Sequence, residues 1–199
     1  MADQLTPRGS ALLSGTRRRL VKAGAAVAWT VPVMHTLTAQ QAFAVTPCVT
    51  VTPTLRKTNL GPCDERDLQP KICCNTGEAY FIRFRVCATT TCTSLSLTAT
   101  LPALLVFQDG CAKVCVDSTD VTGSSSITCA GHGQSGAVTV TLPGSLAAGQ
   151  CANIDIFVKR GSECPSSSGS VNVTYSVTCG GTSGCSLTNQ VLSLPFGSC

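Results

Sequence analysis

Tyr80-Phe81-Ile82-Arg83-Phe84-Arg85-Val86 is the stretch whose reading decides the fold. Tyr80, Ile82, Phe84 and Val86 fall on one side of an extended chain, and Phe81, Arg83 and Arg85 fall on the other. That is the period of two that a β-strand gives and a helix does not. The alternation returns downstream. Leu95 and Leu97 alternate with Ser94, Ser96 and Thr98. Val138, Val140 and Leu142 alternate with Thr139 and Thr141. Ile154, Ile156 and Val158 alternate with Asn153, Asp155 and Phe157. Val171, Val173, Tyr175 and Val177 alternate with Asn172, Thr174, Ser176 and Thr178. Each run has one apolar face and one mostly polar face, as a sheet packed on one side requires. Residues 48–52, 104–107, 112–117 and 187–194 are weaker strand candidates. Turn-forming clusters such as Gly123-Ser124-Ser125-Ser126 separate the runs. Many short strands with turn signals between them predict an all-β sandwich with Greek-key connections. Ile82, Phe84, Val140, Ile154, Ile156, Val173 and Tyr175 are its expected core.

Residues 1–44 have a different composition. Five of the fourteen basic residues (Arg8, Arg17, Arg18, Arg19 and Lys22) lie there, against Asp3 alone among the acids. Thr16-Arg17-Arg18-Arg19-Leu20-Val21-Lys22 resembles the twin-arginine export signal, with Arg17 and Arg18 as the arginine pair. An Ala-rich apolar run over 23–37 is read as its helical segment. Ala42-Phe43-Ala44 is a small-x-small cleavage site, with Ala42 and Ala44 as its small residues and Val45 as the expected mature N-terminus. The alternative of a retained membrane anchor meets Pro32, His35, Gln40 and Gln41 inside a window that should be apolar for about 20 residues. The expected partners during export are the twin-arginine translocase and signal peptidase. The organisation read from sequence is therefore a signal peptide at 1–44, a Cys-rich strand and loop segment at 45–78, and the sandwich with its Cys-rich C-terminal part at 79–199. The mature part carries nine basic and nine acidic residues. With no net charge left, nothing points to nucleic acid or an anionic membrane as a partner.

All fourteen cysteines follow residue 45: Cys48, Cys63, Cys73, Cys74, Cys87, Cys92, Cys111, Cys115, Cys129, Cys151, Cys164, Cys179, Cys185 and Cys199. Their even number and density mark a disulfide framework, which persists in oxidising compartments. There is no C-x-x-C spacing, so neither a thioredoxin-like pair nor a zinc knuckle is expected, and no cofactor is predicted. Cys179 and Cys185 bracket Gly180-Gly181-Thr182-Ser183-Gly184, so the spacing allows a local bridge closing that turn, while the connectivity as a whole is not fixed by sequence. Cys73 and Cys74 are adjacent and should point apart. By parity, Cys87 and Cys151 lie with Arg83, Arg85, Asn153 and Asp155, away from the core.

Catalytic signals are sparse. His132 is the one histidine after the leader and lies in Gly131-His132-Gly133-Gln134-Ser135-Gly136. The nucleophile elbow G-x-S-x-G is absent, and residues this close on one loop do not form a Ser-His-Asp triad. The same run spells G-x-G-x-x-G, but no helix pattern follows, so a dinucleotide site is excluded by its context. Asp64, Glu65 and Asp67, and separately Asp117 and Asp120, are acidic loops in which Ca²⁺ is the alternative to simple solvation.

Two segments carry a family resemblance. Residues 100–110, Thr-Leu-Pro-Ala-Leu-Leu-Val-Phe-Gln-Asp-Gly, resemble a T-L-P-x-G-L-x-F-x-x-G segment. Residues 146–156, Leu-Ala-Ala-Gly-Gln-Cys-Ala-Asn-Ile-Asp-Ile, resemble a later L-x-x-G-x-x-x-x-I-x-I segment. Both recur, in this order, in the bacterial surface-protein repeat domain known as domain of unknown function 11, and the resemblance spans roughly 77–177. Ala103 stands where that family has Gly, and the cysteines exceed the family's number. The resemblance implies an immunoglobulin-like sandwich and a place in cell-wall or adhesin-like proteins. The expected function is a secreted or cell-surface, non-catalytic module with a structural or adhesive role. A secreted, disulfide-stapled binder or inhibitor of a protein target is the alternative, and an exported hydrolase is the third reading.

Overall fold

The computed structural model describes residues 48–57, 63, 68–74, 76–162, 167–181 and 185–199. The expected leader, with Arg17, Arg18, Ala42 and Ala44, lies outside them, as do Asp64, Glu65, Asp67 and Cys164. The strands are β1 (Val49–Lys57), β2 (Ile72–Cys73), β3 (Ala79–Ala88), β4 (Ser94–Leu101), β5 (Leu105–Val116), β6 (Thr119–Asp120), β7 (Ser126–Cys129), β8 (Gly136–Leu142), β9 (Cys151–Arg160), β10 (Gly169–Gly180) and β11 (Cys185–Gly197). They form two sheets, ordered β1-β3-β9-β5-β6 and β2-β11-β10-β4-β8-β7. Among the described residues only β2 and β11 pair in parallel. Chain neighbours such as β3 and β4, or β8 and β9, lie in opposite sheets, so the chain crosses between layers as a Greek-key, immunoglobulin-like sandwich does.

Parity fixes the register. On β3 and β9 the inward pairs are Ile82 opposite Ile156 and Phe84 opposite Ile154, while Arg83 faces Asp155 and Cys87 faces Cys151 on the outer side. A slip of one residue would reverse every one of these. All seven expected core residues are buried in one cluster, which spans both sheets and includes Leu95, Leu97, Val138 and Leu194. Phe84 and Tyr175 meet across the layers with ring centroids 5.0 Å apart. On the outer face of the second sheet, Ser96 pairs with Thr141 and Thr98 with Thr139 through hydroxyls 3.2 Å apart.

Several boundaries differ from the expectation for identifiable reasons. The weak candidates at 104–107 and 112–117 are one strand, β5. Leu105 and Phe107 point inward on odd numbers, and Ala112 and Val114 point inward on even ones. Only a bulge can switch parity within a strand. The ladder to β9 does shift between Phe107 and Ala112, where Gly110 and Cys111 have φ of 79° and 51°. Gln108 reaches back across the gap, its Nε2 donating to the Val158 carbonyl at 2.6 Å. The candidate at 48–52 extends as β1 through Pro53 to Lys57, which an edge strand tolerates because one side of its backbone needs no partner. Residues 49–57 and 72–73 thereby become strands of the two sheets, so the sandwich draws on the segment at 45–78 as well as on 79–199.

The largest departure concerns the polar face of the first sheet. Arg83 and Asp155 sit on the face read as polar, yet each is only 2 % exposed. They form a two-pronged ion pair, with Arg83 Nε and Nη2 donating to the two Asp155 oxygens at 2.7 Å each. The guanidinium also lies 5.3 Å from the centroid of buried Phe81. Parity says which face a side chain takes but not what covers that face. Cys63, from the connection between β1 and β2, is bonded to Cys115 on that outer side and anchors the connection there.

Candidate functional site

The chemistry this chain concentrates is cross-linking. Six bridges join described cysteines: Cys48–Cys185, Cys63–Cys115, Cys73–Cys199, Cys87–Cys151, Cys92–Cys179 and Cys111–Cys129. Cys74 is disulfide-bonded as well, and no cysteine among the described residues is free. Cys73 and Cys74 are not bonded to each other, in keeping with their expected divergence. The local bridge between Cys179 and Cys185 does not form. Cys179 and Cys185 face each other in the β10–β11 ladder, but Cys179 is bonded to Cys92, on the β3–β4 connection, and Cys185 to Cys48.

The bridges have distinct positions. Cys48 precedes β1, the edge of the first sheet, and Cys185 opens β11 in the second, so their bridge joins the two layers along one side. Cys111 on β5 and Cys129 on β7 join the layers along the other side. Cys73 ties β2 to Cys199. Cys87 and Cys151 face each other across the β3–β9 ladder on the outer side, as parity requires, with Cα atoms 4.0 Å apart. Cys179 shares the inward parity of Val173 and Val177 and is buried, and Cys73, Cys74, Cys92 and Cys111 join it in the buried cluster. Buried Tyr80 supports this end of the framework. Its hydroxyl accepts from the Cys73 N–H at 3.0 Å and donates to Glu78 at 3.0 Å. Burial raises its pKa.

The titratable loops turn out to have structural work. His132 Nδ1 lies 2.8 Å from Asp109 Oδ1, but the two side chains are 53 % and 92 % exposed. No hydrogen bond joins Ser135 to His132 among the described residues, so the dyad lacks both a nucleophile and a dry setting. The glycine-rich run is a pinned loop. Gly131 and Gly133 have φ of 111° and 76°, the Gly133 N–H donates to the Phe107 carbonyl at 2.9 Å, and the Phe107 N–H donates to Gln134 at 2.9 Å. Asp120 anchors the turn after β6. The Thr122 hydroxyl, then the Thr122 N–H at 3.0 Å and Lys113 at 3.2 Å, hold its carboxyl down to about 2. Asp117 accepts from Gln150 Nε2 at 3.1 Å. Among the described residues no group of three or more His, Cys, Asp and Glu side chains could hold a metal ion.

The frame so defined is an immunoglobulin-like sandwich whose two layers are covalently joined on both sides. Solved structures share that fold. The D312A form of BcpA, the major pilin subunit of Bacillus cereus, superposes with a TM-score of 0.53 at 16 % identity, over 75 % of this chain and 40 % of that one. The C-terminal domain of BspA, an antigen I/II polypeptide of Streptococcus agalactiae, gives 0.53 at 10 % identity, over 75 % and 50 %. The C-terminal domain of AspA, an antigen I/II-family protein of Streptococcus pyogenes, gives 0.51 at 13 % identity, over 75 % and 46 %. The chain spans half or less of each of these structures. No family model and no curated protein matches the sequence.

Proposed function

We propose that this chain is an exported, non-catalytic module of a bacterial surface structure, built to carry tension between its ends. The observation that carries this reading is the Cys48–Cys185 bridge, which links the entry to the first sheet directly to the start of the last strand. A sandwich stabilised only by its core would not need that link. The link makes sense where the ends are pulled apart. The fold shared with a pilin subunit and with antigen I/II C-terminal domains supports the surface placement. So do the resemblance to the surface-protein repeat domain and the disulfide density, which calls for an oxidising compartment.

In this reading residues 1–44 are a twin-arginine leader recognised by the translocase through Arg17 and Arg18 and removed by signal peptidase after Ala44. N-terminal sequencing of the secreted protein should begin Val45-Thr46-Pro47-Cys48. A sequence beginning at Met1 or Ala2 would overturn the leader. Changing Arg17→Lys and Arg18→Lys together should keep the protein inside the cell, and undiminished export of that variant would overturn the route.

A further inference from the structure

The cations of the described residues are almost all engaged. Lys57 is paired with Glu78, Arg83 with Asp155 and Lys113 with Asp120. Lys71 donates to the Ser198 carbonyl, and Arg56 and Arg85 have partners. Lys159 and Arg160 differ. They end β9 next to each other, their side chains have no ionic or hydrogen-bonded partner among the described residues, and they line one cavity of about 620 Å³ with Val106, Gln134, Ser135 and Ser162.

Three backbone connections lock the walls of that cavity. The Gly133–Phe107–Gln134 ladder fixes the loop before β8. Leu105 N–H closes the turn before β5 on the Pro102 carbonyl at 2.9 Å. Gly161 N–H donates to the Leu104 carbonyl at 2.6 Å, and a Cβ on Gly161 would stand 2.6 Å from the Ala103 carbonyl, so glycine is required where the two segments touch. A site fixed in this way loses little freedom when a ligand enters.

We propose that this cavity binds a carboxylate-bearing saccharide of one or two units. The Arg160 guanidinium presents a planar fork that matches a carboxylate, and Lys159 adds a second positive charge. The Gln134 amide and the Ser135 hydroxyl supply donors and acceptors suited to ring hydroxyls. The lining contains no aromatic ring on which a neutral sugar could stack, so the ligand must bring the charge that holds it. The volume lies in the range of small-ligand sites. This assignment deepens the surface-module reading and rests on it, giving the module an adhesive contact in addition to a mechanical role.

The test is an NMR titration of the ¹⁵N-labelled secreted protein with methyl β-D-glucuronide. The controls are methyl β-D-glucoside, which differs only in the carboxylate, and triglutamate as an acidic peptide. Saturable shifts are expected at the amides of residues 133–135 and 159–162. Binding should be at least tenfold weaker for the glucoside and at least tenfold weaker for Arg160→Gln, whose spectrum elsewhere should be unchanged. Higher salt should weaken the glucuronide further. Absence of saturable shifts, or equal binding by Arg160→Gln, would overturn the site. Preference for triglutamate would overturn the saccharide. None of these outcomes touches the export test, so the two readings fail separately.

Discussion

Pulled between handles fused before Cys48 and after Cys199, the oxidised protein should lengthen by no more than about 10 Å, and the reduced protein by several hundred ångströms. The shortest covalent path runs from Cys48 across its bridge to Cys185 and then along β11 to Cys199. Those last residues are already an extended strand, and a fully stretched chain gains only a few tenths of an ångström per residue over a strand. Without bridges, the whole chain from Cys48 to Cys199 can unravel, a contour of about 500 Å at roughly 3.4 Å per residue. Removing one bridge gives an intermediate result. With Cys48→Ser and Cys185→Ser together, the next path runs from Cys48 along the chain to Cys73 and across to Cys199. It caps the stretched contour at about 85 Å. Single-molecule stretching with and without reductant reads all three lengths. An oxidised protein that releases hundreds of ångströms would show that the bridges do not bypass the fold.

The second large effect is expected at the buried ion pair. Replacing Arg83→Met leaves the Asp155 carboxylate buried on the outer face of the first sheet. It has no other hydrogen-bond partner there among the described residues. Breaking such a pair from one side costs about 3–5 kcal/mol, because the remaining charge keeps its desolvation penalty. That is a large part of the roughly 5–15 kcal/mol that holds a typical domain together. The double variant Arg83→Met with Asp155→Leu removes both charges and should recover most of the loss, since apolar groups of similar volume replace such pairs at little cost. Urea denaturation of the oxidised proteins measures both. A loss below about 1 kcal/mol for Arg83→Met would mean that the pair is hydrated in solution and that the outer face is not covered.

How much of this could be read from the sequence depended on what each feature is made of. The register of β3 and β9 was legible because inward apolar and outward polar residues alternate without a break from Ile82 to Val86 and from Asn153 to Ile156. The bulge in β5 was legible in principle, since Leu105 and Phe107 on one parity and Ala112 and Val114 on the other demand a shift. β7 was not, because in Ser126–Cys129 Ile127 is the one large apolar side chain, and four residues hold no period. The buried charge pair was hidden because alternation assigns faces and says nothing about how deeply each face is buried.

The functional frame was less accessible still. Spacing allowed a bridge between Cys179 and Cys185, close in the chain, whereas the sheets bring Cys48 and Cys185 together from opposite ends of the domain. Pairing follows the meeting of edges, which sequence separation does not encode. Lys159 and Arg160 were visible only as two charges at the end of a strand. Their joint opening onto Gln134 and Ser135 depends on the ladder between Phe107 and the glycine-rich loop.

Disulfide mapping of the secreted protein, by digestion without reduction followed by mass spectrometry, tests the central claim most directly. The account predicts linked peptides containing Cys48 with Cys185 and Cys111 with Cys129, the two bridges that join the sheets along opposite sides. A peptide in which Cys179 is bonded to Cys185, with Cys48 found free or paired elsewhere, would contradict it.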